Sequence, residues 1–126
     1  MKIVFQIARI LLGLLFLVFG LNGFLHFIPV PPPAGQLAGQ FMGVLLQSHY
    51  LIVVSVVEIA GGALLLANRF VPLGLILLGP IVVNILLFHT FMAPEGLPLA
   101  GVATMLWFAV LASRYKVFLA LMAAKA

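Results

Sequence analysis

The chain alternates long apolar runs with short polar breaks. The runs extend roughly from Ile10 to Ile28, Leu51 to Ala67, Val71 to Phe91 and Leu97 to Ala112. Each holds about 16 to 21 residues, where about 20 helical residues cross the ~30 Å hydrocarbon core and ~17 suffice when the ends snorkel. None shows the period-two alternation of a lipid-spanning barrel, so the pattern predicts helices. Between the first two runs, Leu37, Phe41, Val44 and Leu45 recur at helical spacing while Gln36, Gln40 and Gln47 fall on another face. This predicts a short amphipathic helix over residues 35–47, entered through an extended segment imposed by Pro29, Pro31, Pro32 and Pro33. The fold expected is all-α, one domain over residues 1–126. It is an integral membrane four-helix bundle with an external amphipathic helix between its first two spans. The first run is expected to be retained rather than cleaved as a signal peptide, because its apolar stretch outlasts an h-region and no A-x-A-like site follows.

Composition reinforces the membrane reading. Of 126 residues, 66% are hydrophobic and 6% charged, whereas a soluble domain is about a quarter charged. The net charge of +4 is a topology signal here and not a sign of a nucleic-acid partner. Lys2 and Arg9 precede the first span, Arg69 separates the second and third, and Arg114, Lys116 and Lys125 follow the fourth. With an even number of crossings all of them fall on one side, which by the positive-inside rule places both termini in the cytoplasm. Tyr50 and Tyr115 then sit at opposite interfaces. The chain contains no Cys, which excludes thiolate catalysis and Cys-ligated clusters within it. No phosphate loop, dinucleotide fingerprint or nucleophile motif is present.

The few polar residues inside the spans are the candidate chemistry. Asn22 and His26 lie in the first, Glu58 in the second, and Asn84 and His89 in the third, all between mid-membrane and the outer interface. A charged carboxylate at mid-membrane costs about 2.5–3.5 kcal/mol on insertion scales, so Glu58 must be partnered or protonated. Its candidate partners are Asn22, Asn84 and His26. Glu58 shares a stripe with Ser55 and Gly62, small residues that suit a close helix neighbour. Asn22 and His26, four apart, share a face. Pro80 is expected to kink the third span just before Asn84, which is taken to look inward. His89 lies about 140° further round the helix and marks the outer boundary with Glu95. A structural role competes at every position. Glu58, Asn22 and Asn84 can act as interhelical glue, His26 can reach interfacial water, and His89 can cap carbonyls. His49, in the polar stretch "QSHY", carries the weakest functional signal.

Three stretches carry a family resemblance: "ARILLGLLFLVFGLNGFLHF", "VVEIAGGALLLANRFVPLG" and "GPIVVNILLFHTFMAPEGLPLA". In this order, with Asn-Gly closing the first span, Glu before Gly-Gly, and Asn-to-His ending the third, the chain resembles the DoxX-like family of small four-helix proteins of the bacterial inner membrane. The resemblance implies that fold and location, and recurrent polar positions at Asn22, Glu58, Asn84 and His89. It also implies a link to quinone-coupled sulfur oxidation or to membrane complexes handling oxidative stress. The function expected is a membrane subunit of a redox system, without independent catalytic activity. It would hold a quinone or other lipophile in the outer half of the bundle through Asn22, His26, Glu58, Asn84 and His89. The partners expected are membrane lipid, other redox-complex subunits and a second copy of the chain. The alternative is a non-catalytic assembly subunit whose polar residues only lock the helices. Haem b held by His26 and His89 is a weaker candidate, and no metal is expected, since a metal needs a tighter His and carboxylate cluster. A pore is disfavoured because the inner halves of the spans offer no polar path.

Overall fold

The computed structural model describes residues 1–27 and 35–124; the proline segment expected to be extended and Lys125 lie outside the described residues. The elements are α1 (Lys2–Leu25), α2 (Gln36–Gln47), α3 (Tyr50–Ala67), α4 (Val71–Phe91), a 3-10 turn (Pro94–Gly96), α5 (Leu97–Ser113) and α6 (Tyr115–Leu121). Four helical segments, α1, α3, α4 and the turn with α5, are long and apolar enough to cross a membrane. They form a ring in which α1 packs on α3, α3 on α4, α4 on α5, and α5 back on α1.

The first span differs from expectation at both ends. It starts at Lys2 rather than Ile10, because nothing between Ile3 and Ile10 breaks the helix, and Arg9 does not need water. The Arg9 guanidinium donates to the carbonyl of Leu65, which also accepts the Asn68 N–H at 3.2 Å, and, at 3.4 Å, to that of Leu66, both in the last turn of α3, where the helix dipole favours a cation. At the other end α1 stops at Leu25, where His26 takes a left-handed cap with φ 52° and its N–H donates to the Asn22 carbonyl at 2.9 Å. The third span matches its apolar run, with Pro72 in the first turn where no hydrogen bond is lost. The short helix α6 was not legible in the hydropathy pattern. It follows a break at Arg114, whose side chain donates to the Asn68 Oδ1 at 3.0 Å, and its Phe118 packs back on the core.

The helices approach closely where glycines permit it. A Cβ on Gly62 of α3 would lie 2.7 Å from the Leu17 backbone nitrogen and 2.8 Å from the Gly13 carbonyl oxygen of α1. One on Gly20 of α1 would lie 2.9 Å from the Ser55 carbonyl oxygen. The stripe of Ser55 and Gly62 therefore faces a neighbour as expected, and both residues are buried. The fully buried side chains Leu12, Leu65, Leu75, Leu78 and Val110 fill the half of the bundle near Arg9, Arg69 and Arg114, called the basic end below.

Pro80 lies inside α4. Lacking an N–H, it cannot donate to the carbonyl one turn back. The indole Nε1 of Trp107 on α5 donates to the Leu75 carbonyl in this turn at 3.0 Å, so a neighbouring helix supplies hydrogen bonding where the ladder is disturbed. Trp107→Phe is expected to keep the fold and lower stability by about 1 kcal/mol, the net value of one hydrogen bond. Thermal unfolding in detergent reads this directly.

Helix α2 forms where the short helix was expected, and Ala38 is its buried residue. Ala38 is completely buried, while Leu37 and Val44 are exposed at 66% and 63%. The small residue lets α2 lie close to the bundle, and Phe41 meets Phe88 of α4 with ring centroids 5.6 Å apart. Of the apolar stripe read from the sequence, Leu37 and Val44 turn outward, while Phe41 packs on α4.

Candidate functional site

The tight core ends about midway along the bundle, and a cavity of about 200 Å³ opens in the half away from the basic end. All four spans contribute walls: Leu15, Phe16 and Phe19 from α1, Glu58 from α3, Ile85 and His89 from α4, and Leu99, Ala100 and Ala103 from α5. Ala100 and Ala103 are buried yet short, so α5 leaves space that larger side chains would fill. Two ionisable groups thus face a hollow otherwise lined by hydrocarbon.

Glu58 is half-buried beside the seam formed by Ser55 and Gly62. Its carboxyl makes no hydrogen bond to any described residue. The expected pairings with Asn22, Asn84 and His26 are accordingly not those the structure shows.

His89 is held from three sides. Its Nδ1–H donates to the Ala93 carbonyl at 2.9 Å; a carbonyl carries only lone pairs, so the ring nitrogen must supply the proton. Its ring stands edge-on to that of Phe88, with centroids 5.0 Å apart. Behind it lies Gly96 of the 3-10 turn, where an added Cβ would sit 2.1 Å from the imidazole Cε1. The sequence reading of His89 as a residue that caps a carbonyl is right in its contact. It is incomplete in its place, because the same ring lines the cavity.

Asn84 does the reverse. It is exposed on the outside of the bundle and its Nδ2–H donates to the Pro80 carbonyl at 2.8 Å. The expectation that it looks inward fails because the inward face at this level belongs to Ile81, Val82, Ile85 and His89. The five-residue offset between Asn84 and His89 separates them as foreseen, with the inward and outward roles exchanged. Asn22 is buried, at 8% exposure, but is not among the cavity-lining residues. His26 is exposed on its left-handed cap and away from the cavity, so it does not oppose His89 as a second axial ligand. Of the five candidates, Glu58 and His89 share the site.

Sequence reasoning missed Ala93 and Gly96, which hold His89, and the aromatic wall of Phe16 and Phe19. The signal available was "APEG": a short turn next to His89, in which only the glycine leaves room for a ring. Among the described residues no three His, Asp or Glu side chains gather as a metal site needs. A second hollow, lined by Leu37, Gln40, Phe41, Val44 and Met92, is larger at about 330 Å³. It lies between α2 and the end of α4 and faces outward, with one amide as its polar group. Enclosure by four helices and two ionisable side chains make the smaller cavity the candidate site.

Phe19 and Leu99 line this cavity and are also 38% and 50% exposed. The gap between α1 and α5 is therefore where the cavity reaches the outside of the bundle. Comparison of the chain with family models, with curated proteins and with solved structures finds no match.

Proposed function

We propose that this chain is a DoxX-like protein of the bacterial inner membrane, a subunit of a redox system that holds a quinone or similar lipophile in the Glu58–His89 cavity. The observation that carries the reading is the pairing of a carboxyl and an imidazole in a hydrocarbon-walled space reached from the side of the bundle. A cavity of about 150 Å³ already accepts benzene, so about 200 Å³ accommodates a single-ring head group. Its tail leaves between Phe19 and Leu99, toward lipid. The carboxyl and imidazole are the groups that hydrogen-bond and move protons in such a site. In this reading the basic end, with Lys2, Arg9, Arg69, Arg114 and Lys116, faces the cytoplasm, α2 rests on the opposite surface, and the cavity opens in the outer leaflet. Of the four recurrent polar positions that the resemblance implies, Glu58 and His89 line the cavity and Asn22 and Asn84 do not.

The test is extraction of lipophiles from protein purified in mild detergent. Wild type and Asn84→Ala are expected to carry the same total of quinone and quinol, since Asn84 bonds only its own helix, and Glu58→Gln to carry several-fold less. Absence of both quinone and quinol from the wild type, or equal total amounts in all three, contradicts the proposal.

A further inference from the structure

We infer that the cavity recognises the reduced, hydroxyl-bearing form of its lipophile, a quinol or phenol, in preference to the quinone. This rests on the reading that the cavity binds an aromatic lipophile, and it adds which redox form the walls select.

The selection follows from which nitrogen of His89 is already engaged. Nδ1–H donates to the Ala93 carbonyl at 2.9 Å. In the neutral ring the proton is then on Nδ1, and Nε2 carries a lone pair. Nε2 has no hydrogen-bond partner among the described residues, and His89 lines the cavity, so this lone pair is what the imidazole offers an occupant. Gly96 keeps the ring in place. Turning the imidazole over would exchange Nδ1 for a carbon and lose the bond to Ala93.

Apart from Glu58, the rest of the wall is neutral in this choice. Leu15, Phe16, Phe19, Ile85, Leu99, Ala100 and Ala103 bring no side-chain donor. The Glu58 carboxyl accepts a hydrogen bond in either protonation state and donates only when protonated. A quinone has only carbonyl oxygens, and one set against Nε2 would oppose lone pair to lone pair. A quinol hydroxyl in the same place donates. An unmade hydrogen bond in an apolar site is costly, so the preference is expected to be on the order of tenfold or more. Selectivity of this kind makes the protein a holder of reduced carrier, and a reaction that reduces a quinone must supply its ligand.

The experiment is equilibrium binding of a short-chain benzoquinone and of its quinol, under argon, to the full chain in lipid nanodiscs. Wild type is expected to bind the quinol about tenfold more tightly. His89→Leu is expected to bind both forms alike. Gly96→Ala is expected to lose the preference too, because the added methyl displaces the imidazole while Glu58 stays. The ratio of the two affinities is read within one preparation, so a partly unfolded fraction cancels. Equal binding of the two forms by the wild type, or tighter binding of the quinone, overturns the inference and leaves the lipophile site standing. A selectivity that survives His89→Leu overturns it as well. Binding of neither form removes both the inference and the site.

Discussion

Gly62→Val is expected to be the most damaging single substitution in the chain, lowering stability in detergent by more than about 3 kcal/mol. The first atoms an added side chain meets are the Leu17 nitrogen and the Gly13 carbonyl oxygen, at 2.7 and 2.8 Å from its Cβ. These are backbone atoms on another helix, and they cannot turn aside as a side chain can. Relief requires α1 and α3 to separate along the seam that also carries Gly20 and Ser55. Association of membrane helices depends on packing at such seams, because lipid offers no hydrophobic drive between them. Gly101 is the control: a Cβ there meets nothing within 4 Å. Gly101→Ala removes only the glycine penalty within α5 and is expected to gain about 0.5–1 kcal/mol. Helical content followed through thermal or detergent denaturation checks the pair. Equal stabilities for Gly62→Val and wild type would mean that α1 and α3 are not in contact along this seam.

Glu58→Leu is expected to raise stability by about 2 kcal/mol while abolishing lipophile binding. A carboxyl within the hydrocarbon region costs about 2.5–3.5 kcal/mol where it is charged, and a leucine there is mildly favourable. The structure provides Glu58 with no hydrogen bond to a described residue, so nothing is broken by its removal, and leucine is close to it in size. The sign separates function from glue. Were Glu58 locking two helices together through a hydrogen bond, Glu58→Leu would destabilise the bundle. The same melting experiment, run beside a quinol-binding measurement on each variant, reads stability and function independently.

The four helical segments long and apolar enough to cross a membrane, the limits of α4, the burial of Ser55 and Gly62 and the position of α2 in the chain were legible because each follows from local pattern. Apolar runs of spanning length and a small-residue stripe need no tertiary information. What escaped was set by neighbours. Arg9 reads as the end of an apolar run, yet sits inside α1 because α3 presents carbonyls to it. Ala38 looks ordinary in the sequence, but it is the residue α2 buries completely, while the larger Leu37 and Val44 stay exposed. The candidate site was half legible. Charge in hydrocarbon pointed to Glu58 from sequence alone, and depth brought His89 near it. Depth could not say which way a side chain faces, and Asn84 and His89 exchanged places. Rotation about α4 is decided by what packs against it, and by a turn at Ala93 and Gly96 that holds a ring the helix pattern would have left at the rim.

One lipophile is proposed to sit between Glu58 and His89, enclosed by four helices. Photo-crosslinking tests it most directly, with a short-chain quinone carrying a photoreactive group on its ring, followed by mass spectrometry of the labelled peptides. Label is expected on the cavity walls, at Phe16 and Phe19 of α1 and Leu99 to Ala103 of α5, competed by unmodified quinol and lost in Glu58→Leu. Label confined to the larger outward hollow of Leu37, Phe41, Val44 and Met92, unaffected by Glu58→Leu, would contradict it.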